Sequence, residues 1–264
     1  MPHRPPRRAW WGQLGYAMGQ LQTLDLALFA AGAFAGAFVN GTAGFAFGLI
    51  AAAVWLHFLP PAQAAALIVS FGLIVAVVGV WKFRAAIQWR RLAPFLIGGV
   101  IGVPIGGEVL RWSAPGNLRI GIGALLVLFS LWNFFRPSNP SMARAGVVAD
   151  SAVGVINGVI GGATGLAGLA AVIWCNVRGW PPAEQRAVIS PSAIVVFVTT
   201  GLWLGGTGMI GRDTIGLFLI GLLPLALGTW AGLKLFGKLD DAMFRRIVLV
   251  LLLVSGVSLL VLGR

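Results

Sequence analysis

Eight apolar runs, divided only by short basic or proline-rich stretches, make up most of this chain. They cover residues 26–58, 62–81, 92–110, 118–135, 146–177, 187–204, 215–235 and 244–262. A helix needs about 20 consecutive apolar residues to cross the hydrocarbon of a bilayer. Only 10% of the 264 residues are charged and 58% are hydrophobic, whereas a soluble domain is about a quarter charged because its surface must stay wet. The solvent of this chain is therefore largely lipid. The expected fold is an all-α, multi-pass integral membrane protein of the cell's inner membrane. Disorder is excluded, since it needs low hydrophobicity and many charges.

The net charge of +12 does not point to nucleic acid. Basic residues such as Lys82, Arg84, Arg90 and Arg91 cluster between apolar runs, as in loops that face anionic lipid and the cytoplasm. No basic stripe alternates with aromatics. Tryptophans near segment ends, including Trp10, Trp81, Trp112 and Trp180, suit interfacial belts. The single cysteine, Cys175, leaves no intrachain disulfide or CxxC site and reads as a buried structural thiol. Residues 1–23 are basic and then aromatic, without a continuous apolar core and cleavage site, and read as a leader ending in an interfacial helix.

Two runs are too long for one crossing. Residues 26–58 would form a helix of about 50 Å, against a hydrocarbon core of about 30 Å. Each long run carries a helix-weakening cluster, Asn40-Gly41-Thr42-Ala43-Gly44 in the first and Gly161-Gly162-Ala163-Thr164-Gly165 in the second. Glycine costs roughly 1 kcal/mol against alanine inside a helix and permits a sharp reversal, so each run is expected to be two half-helices joined by a break. The halves also repeat. One offset aligns Gly41 with Gly162, Gly44 with Gly165, and Pro60-Pro61-Ala62 with Pro181-Pro182-Ala183; a slightly larger one pairs Gly102 with Gly228 and Gly106 with Gly232. Matched breaks followed by matched PPA turns indicate two homologous four-segment repeats, residues 24–136 and 146–264, joined by a linker at 137–145.

The runs GAFAGAFVNGTAGFAFG and GVINGVIGGATGLAG, each followed by a PPAQ or PPAE turn and a second helix, resemble the TauE/SafE family of sulfite exporter-like membrane permeases. The likeness covers nearly the whole of the eight runs. One departure is that Gly165 is followed by LAGLAAVIW, without the proline that family members often carry after a longer glycine run. The resemblance implies transport of sulfite or a small organosulfur anion, usually outward.

Transporters built from inverted repeats bind substrate near the midplane, where broken helices expose half-helix ends. A helix N-terminus holds an anion through free N–H groups and a partial positive charge. That chemistry suits a chain in which no lysine or arginine lies mid-segment. The candidate substrate residues are Asn40, Gly41, Thr42 and Gly44, facing Gly161, Gly162, Thr164 and Gly165, with Asn157 one turn earlier. Ser190 and Ser192 flank Pro191, whose missing N–H frees a carbonyl. The same small residues equally serve close helix packing, with threonine and asparagine bonding neighbouring carbonyls. Glu108 is expected to pair with Arg111 at an interface, His57 to be interfacial, and Glu184 and Arg186 to pair or face water.

No HExxH, GxSxG or Walker A pattern is present in the sequence, so neither an enzyme nor a cofactor is expected. The reading is a secondary permease for a small anion, with protons as a possible coupling ion and homo-oligomers possible. Alternatives are a channel-like or sensing protein, or a scaffold subunit. If the long runs span, Lys and Arg divide 11 to 8 in favour of the N-terminal side; if they are re-entrant hairpins, 12 to 7 in favour of the opposite side. The positive-inside rule then favours inverted halves with both termini outside.

Overall fold

The computed structural model describes residues 23–43, 46–83, 87–135, 146–207, 212–235 and 241–262. The N-terminal leader, the linker at 137–145 and Gly44 lie outside the described residues. Ten helices and no strand occur among those described. In chain order they are α1 (Thr23–Ala43), α2 (Phe47–Trp55), α3 (Pro61–Phe83), α4 (Trp89–Trp112), α5 (Pro115–Phe134), α6 (Val147–Thr164), α7 (Leu169–Val177), α8 (Pro182–Gly206), α9 (Arg212–Leu235) and α10 (Asp241–Leu262). Seven of them, α1, α3, α4, α5, α6, α8 and α9, are long and apolar enough to cross a membrane. Apolar side chains such as Trp81, Trp112, Leu202, Leu223 and Trp230 stand outward on them, as lipid-facing and interfacial positions require.

The two over-long runs are each two helices. Within the first, Trp55 Nε1 donates to the Phe29 carbonyl at 3.1 Å and Gly36 lies against Phe47, so α2 runs back along α1. In the second, Asn157 Oδ1 accepts from the Gly168 amide at 2.8 Å and Asp150 Oδ1 accepts from Trp174 Nε1 at 2.7 Å, so α7 runs back along α6. Both α2 and α7 have nine residues, about 13 Å, or under half the hydrocarbon thickness.

The other helices pack along glycine seams. Gly98, Gly102 and Gly106 of α4 lie against the backbone of Ser151, Val155 and Val159 in α6, and Gly228 and Gly232 of α9 lie against Phe34 and Phe38 in α1. Residue numbers rise together along both seams, so each pair is parallel. Elsewhere the order reverses. Gly79 of α3 meets Ser190 of α8 while Gly72 meets Phe197, and Gly123 of α5 meets Leu259 and Leu260 of α10. Both pairs are antiparallel. Small residues bring backbones close where lipid tails supply no hydrophobic drive between helices. Between the seams sits an aromatic core. Phe29 stacks on Trp55 at 4.8 Å and Phe71 on Phe218 at 5.1 Å, with Phe47 against both Trp55 and Phe71.

Candidate functional site

The helices end inside the glycine clusters, α1 at Ala43 and α6 at Thr164. Gly161 and Gly162 remain inside α6, and the chain leaves the helix at Gly165, whose φ of 76° is the left-handed conformation that L side chains resist. Its amide donates to the Gly161 carbonyl at 2.8 Å, which closes the helix end. Gly168, at φ 97°, then starts α7, and Ala46, at φ 85°, starts α2. Neither N-terminus carries a side-chain cap. The N-cap residues Ala46 and Gly168 thus offer no side-chain acceptor to the amides that follow them.

Those two uncapped ends converge. A Cβ added to Gly48 of α2 would lie 3.2 Å from Leu166 and 3.6 Å from the Gly165 carbonyl. Between them is a cavity with about 40 Å³ of room for the centres of water-sized molecules. It is bounded by Asn40, residues 46–49, residues 166–169, and Gly72, Ala76, Ile189, Ser190, Ala193 and Phe197 of α3 and α8. A second, smaller cavity shares Asn40 and Ser190 with it and adds Gly41, Val75, Val78, Gly79, Arg186, Thr229 and Leu233.

The sequence candidates therefore separate. Asn40 and Ser190 line both cavities, and Gly41 lines the second while packing so closely that a Cβ on it would fall 3.0 Å from the Gly232 backbone. Thr42 turns its hydroxyl to the Val39 carbonyl at 3.0 Å. Thr164 donates to the Ile160 carbonyl at 2.7 Å and accepts from the Leu166 amide at 3.1 Å, which fixes the bend after α6. Asn157 is buried and holds Gly168. Gly161 faces Val196, and Gly162 packs on Val103 and Gly107 of α4. Ser192 bonds back to the Ile189 carbonyl at 2.9 Å, outside both linings. Ser70 likewise bonds back to Ala66 at 2.8 Å.

Two residues matter more than the sequence suggested. Arg186 neither pairs with Glu184 nor merely faces water. Its Nη2 donates to the Thr42 carbonyl at 2.8 Å, at the end of α1, while Glu184 pairs with Arg91. A cation thus reaches the first break, although no arginine lies mid-segment. Its position, four residues after a PP turn, is the one signal that could have found it. The buried carboxylate is Asp150 rather than Glu108. Asp150 lies 3.6 Å from Arg178, whose guanidinium is 5.1 Å from the Trp180 ring, with that of Arg91 at 5.2 Å from the same ring. Glu108 stays near the surface, 3.7 Å from Arg111 and bonded by Trp112 Nε1 at 2.6 Å. His57 meets Ser258 Oγ at 3.1 Å, and Cys175 is buried.

A family model described as sulfite exporter TauE/SafE matches residues 28–259, which include every helix that lines the two cavities. Neither a curated protein nor a solved structure gives a significant match.

Proposed function

Since the chain belongs to the TauE/SafE sulfite exporter family, a family of membrane permeases, we propose that it exports a small sulfur oxyanion across the inner membrane by secondary transport, with sulfite or an organosulfonate as the substrate class. The observation that carries this reading is the convergence of the uncapped α2 and α7 N-termini on one cavity. Each end contributes first-turn amides that no N-cap side chain takes up and roughly half a positive charge. An anion between them needs no buried cation of its own. Asn40 and Ser190 supply side-chain polarity, and Asn157, Thr164 and Gly165 hold the second break in shape. Gly41, Gly161 and Gly162 keep the hairpins seated against α9, α8 and α4.

The proposed architecture is two inverted copies of one unit, α1–α5 and α6–α10. Its support is the pairing. Exchanging the halves turns the parallel α1/α9 seam into the parallel α6/α4 seam and returns each antiparallel pair, α3/α8 and α5/α10, to itself. A two-fold axis in the membrane plane has that property. A scaffold subunit needs no polar cavity between its halves, so the lined cavity favours transport over assembly.

The test is a thermal-shift screen of the purified protein against sulfite, sulfate, thiosulfate, taurine and sulfoacetate. A ligand at 100 times its Kd stabilises the state it binds by about 2.7 kcal/mol. At least one sulfur oxyanion is expected to raise the melting temperature where chloride at equal ionic strength does not. A flat response to all five would remove this reading.

A further inference from the structure

Arg186 is the one formally charged residue, among those described, that lines either cavity. It belongs to the second, where Asn40, Ser190 and Thr229 supply the remaining polar side chains. The Thr42 carbonyl that it bonds lies at the C-terminal, partly negative end of α1, so the guanidinium is held at the rim of the break rather than left to swing. A guanidinium is a planar fork of N–H donors that matches an oxyanion in shape as well as charge.

The position of this cavity in the fold gives it a direction. Val78 and Gly79 belong to the last turns of α3, Leu233 to the last turn of α9, Gly41 to the last turn of α1 and Arg186 to the second turn of α8. All four helix ends lie toward the face that carries the α3–α4 and α7–α8 connections. The central cavity lies deeper, and Asn40 and Ser190 belong to both linings. We propose that the second cavity is an anion-recruiting vestibule. In it Arg186 draws a small oxyanion from the α3–α4 face, and Asn40 and Ser190 pass it to the central cavity. The proposal rests on the permease reading for the identity of the cargo, but its electrostatics can be measured without any transport. A purely mechanical latch between α8 and α1 is the competing account of Arg186.

The experiment uses the full-length protein in oriented membrane vesicles, carrying Cys175→Ala to remove the one native thiol and Thr229→Cys to place a thiol in the vestibule. Two thiosulfonate reagents are compared, one with a sulfonate and one with a trimethylammonium group. Both are expected to modify position 229 from the α3–α4 face only, the anionic one faster. Adding Arg186→Gln should lower the anionic-to-cationic rate ratio by about tenfold or more, the scale on which one charge steers ions in a narrow site. Arg186→Lys should keep most of the preference, because it keeps the charge while losing the fork. A ratio unmoved by Arg186→Gln, modification from the opposite face, or no modification from either face each overturns the vestibule. Normal charge selection with no oxyanion binding or transport would sink the permease reading alone. Transport with an unmoved ratio would sink the vestibule alone.

Discussion

A Cβ on Gly162 would fall 3.1 Å from the Gly107 amide nitrogen and closer still to the Val103 carbonyl. Backbone atoms cannot rotate aside as a side-chain tip can, so α4 and α6 would have to part. Overpacking of this kind destabilises by about 1–3 kcal/mol, and Gly162→Leu is expected to lower the melting temperature of the purified protein together with any loss of transport. Gly121→Ala is the control, since nothing lies within 4 Å of its added methyl; inside a helix it should melt no lower than the parent, with a gain of up to about 1 kcal/mol. Gly256 would not serve, because a Cβ there would fall 2.9 Å from the Gly123 carbonyl in the α5/α10 seam. If Gly162→Leu melts normally, the seam is not where its effect arises. Composition and spacing made the glycine clusters visible, but they could not say which glycine turns the chain and which accepts a neighbour. Gly162 and Gly165 differ only in what surrounds them. Asp150 was passed over and the bond of Arg186 to α1 missed for the same reason, since a charge near a segment end looks solvated until its partners, Arg178 and the Thr42 carbonyl, are known.

At the scale of elements, one bond governs where α7 begins. Gly168 takes a left-handed conformation and gives its amide to Asn157, so the aim of the α7 N-terminus at the cavity depends on a side chain eleven residues earlier. Asn157→Leu leaves that buried donor unmet, a loss of about 1–3 kcal/mol, and should reduce both stability and transport. Asn157→Asp keeps an acceptor of the same length but sets a negative charge beside the proposed anion site. It should melt close to the parent and yet bind sulfite or its true cargo more weakly, read as a raised KM in vesicle uptake. Equal KM for the two proteins would argue that the anion sits elsewhere. Both breaks were legible to within a few residues, since a 33-residue apolar run cannot be one crossing. The start of α2 was less so. Ala46 adopts φ 85°, a conformation its residue type disfavours, and only the surrounding hairpin imposes it.

For the whole molecule, the relative directions of the helices follow from which residues meet, whereas the sidedness follows from charge. Because α2 returns along α1 and α7 along α6, we propose that each hairpin leaves by the face it came from. The crossings are then α3, α4 and α5 in one half and α8, α9 and α10 in the other. An even total puts both termini on one face and the α3–α4 connection on the other. Of the 19 Lys and Arg, 12 then fall on the α3–α4 side and 7 on the side of the termini. Cytoplasmic loops are the ones enriched in Lys and Arg, so the α3–α4 side is proposed to be cytoplasmic, and the Arg186 vestibule with it. That sidedness is what export requires of a recruiting site. A reporter active only in the cytoplasm, fused after Arg264, is expected to stay silent, while a thiol introduced at Gln88 is expected to be shielded from impermeant reagents added outside the cell. A bright reporter with an externally reactive position 88 would reverse the sidedness and turn the vestibule outward, leaving the fold intact. A bright reporter with position 88 still shielded would put the two on one face, which requires an even number of crossings between them, and the hairpin reading of the long runs would then fail.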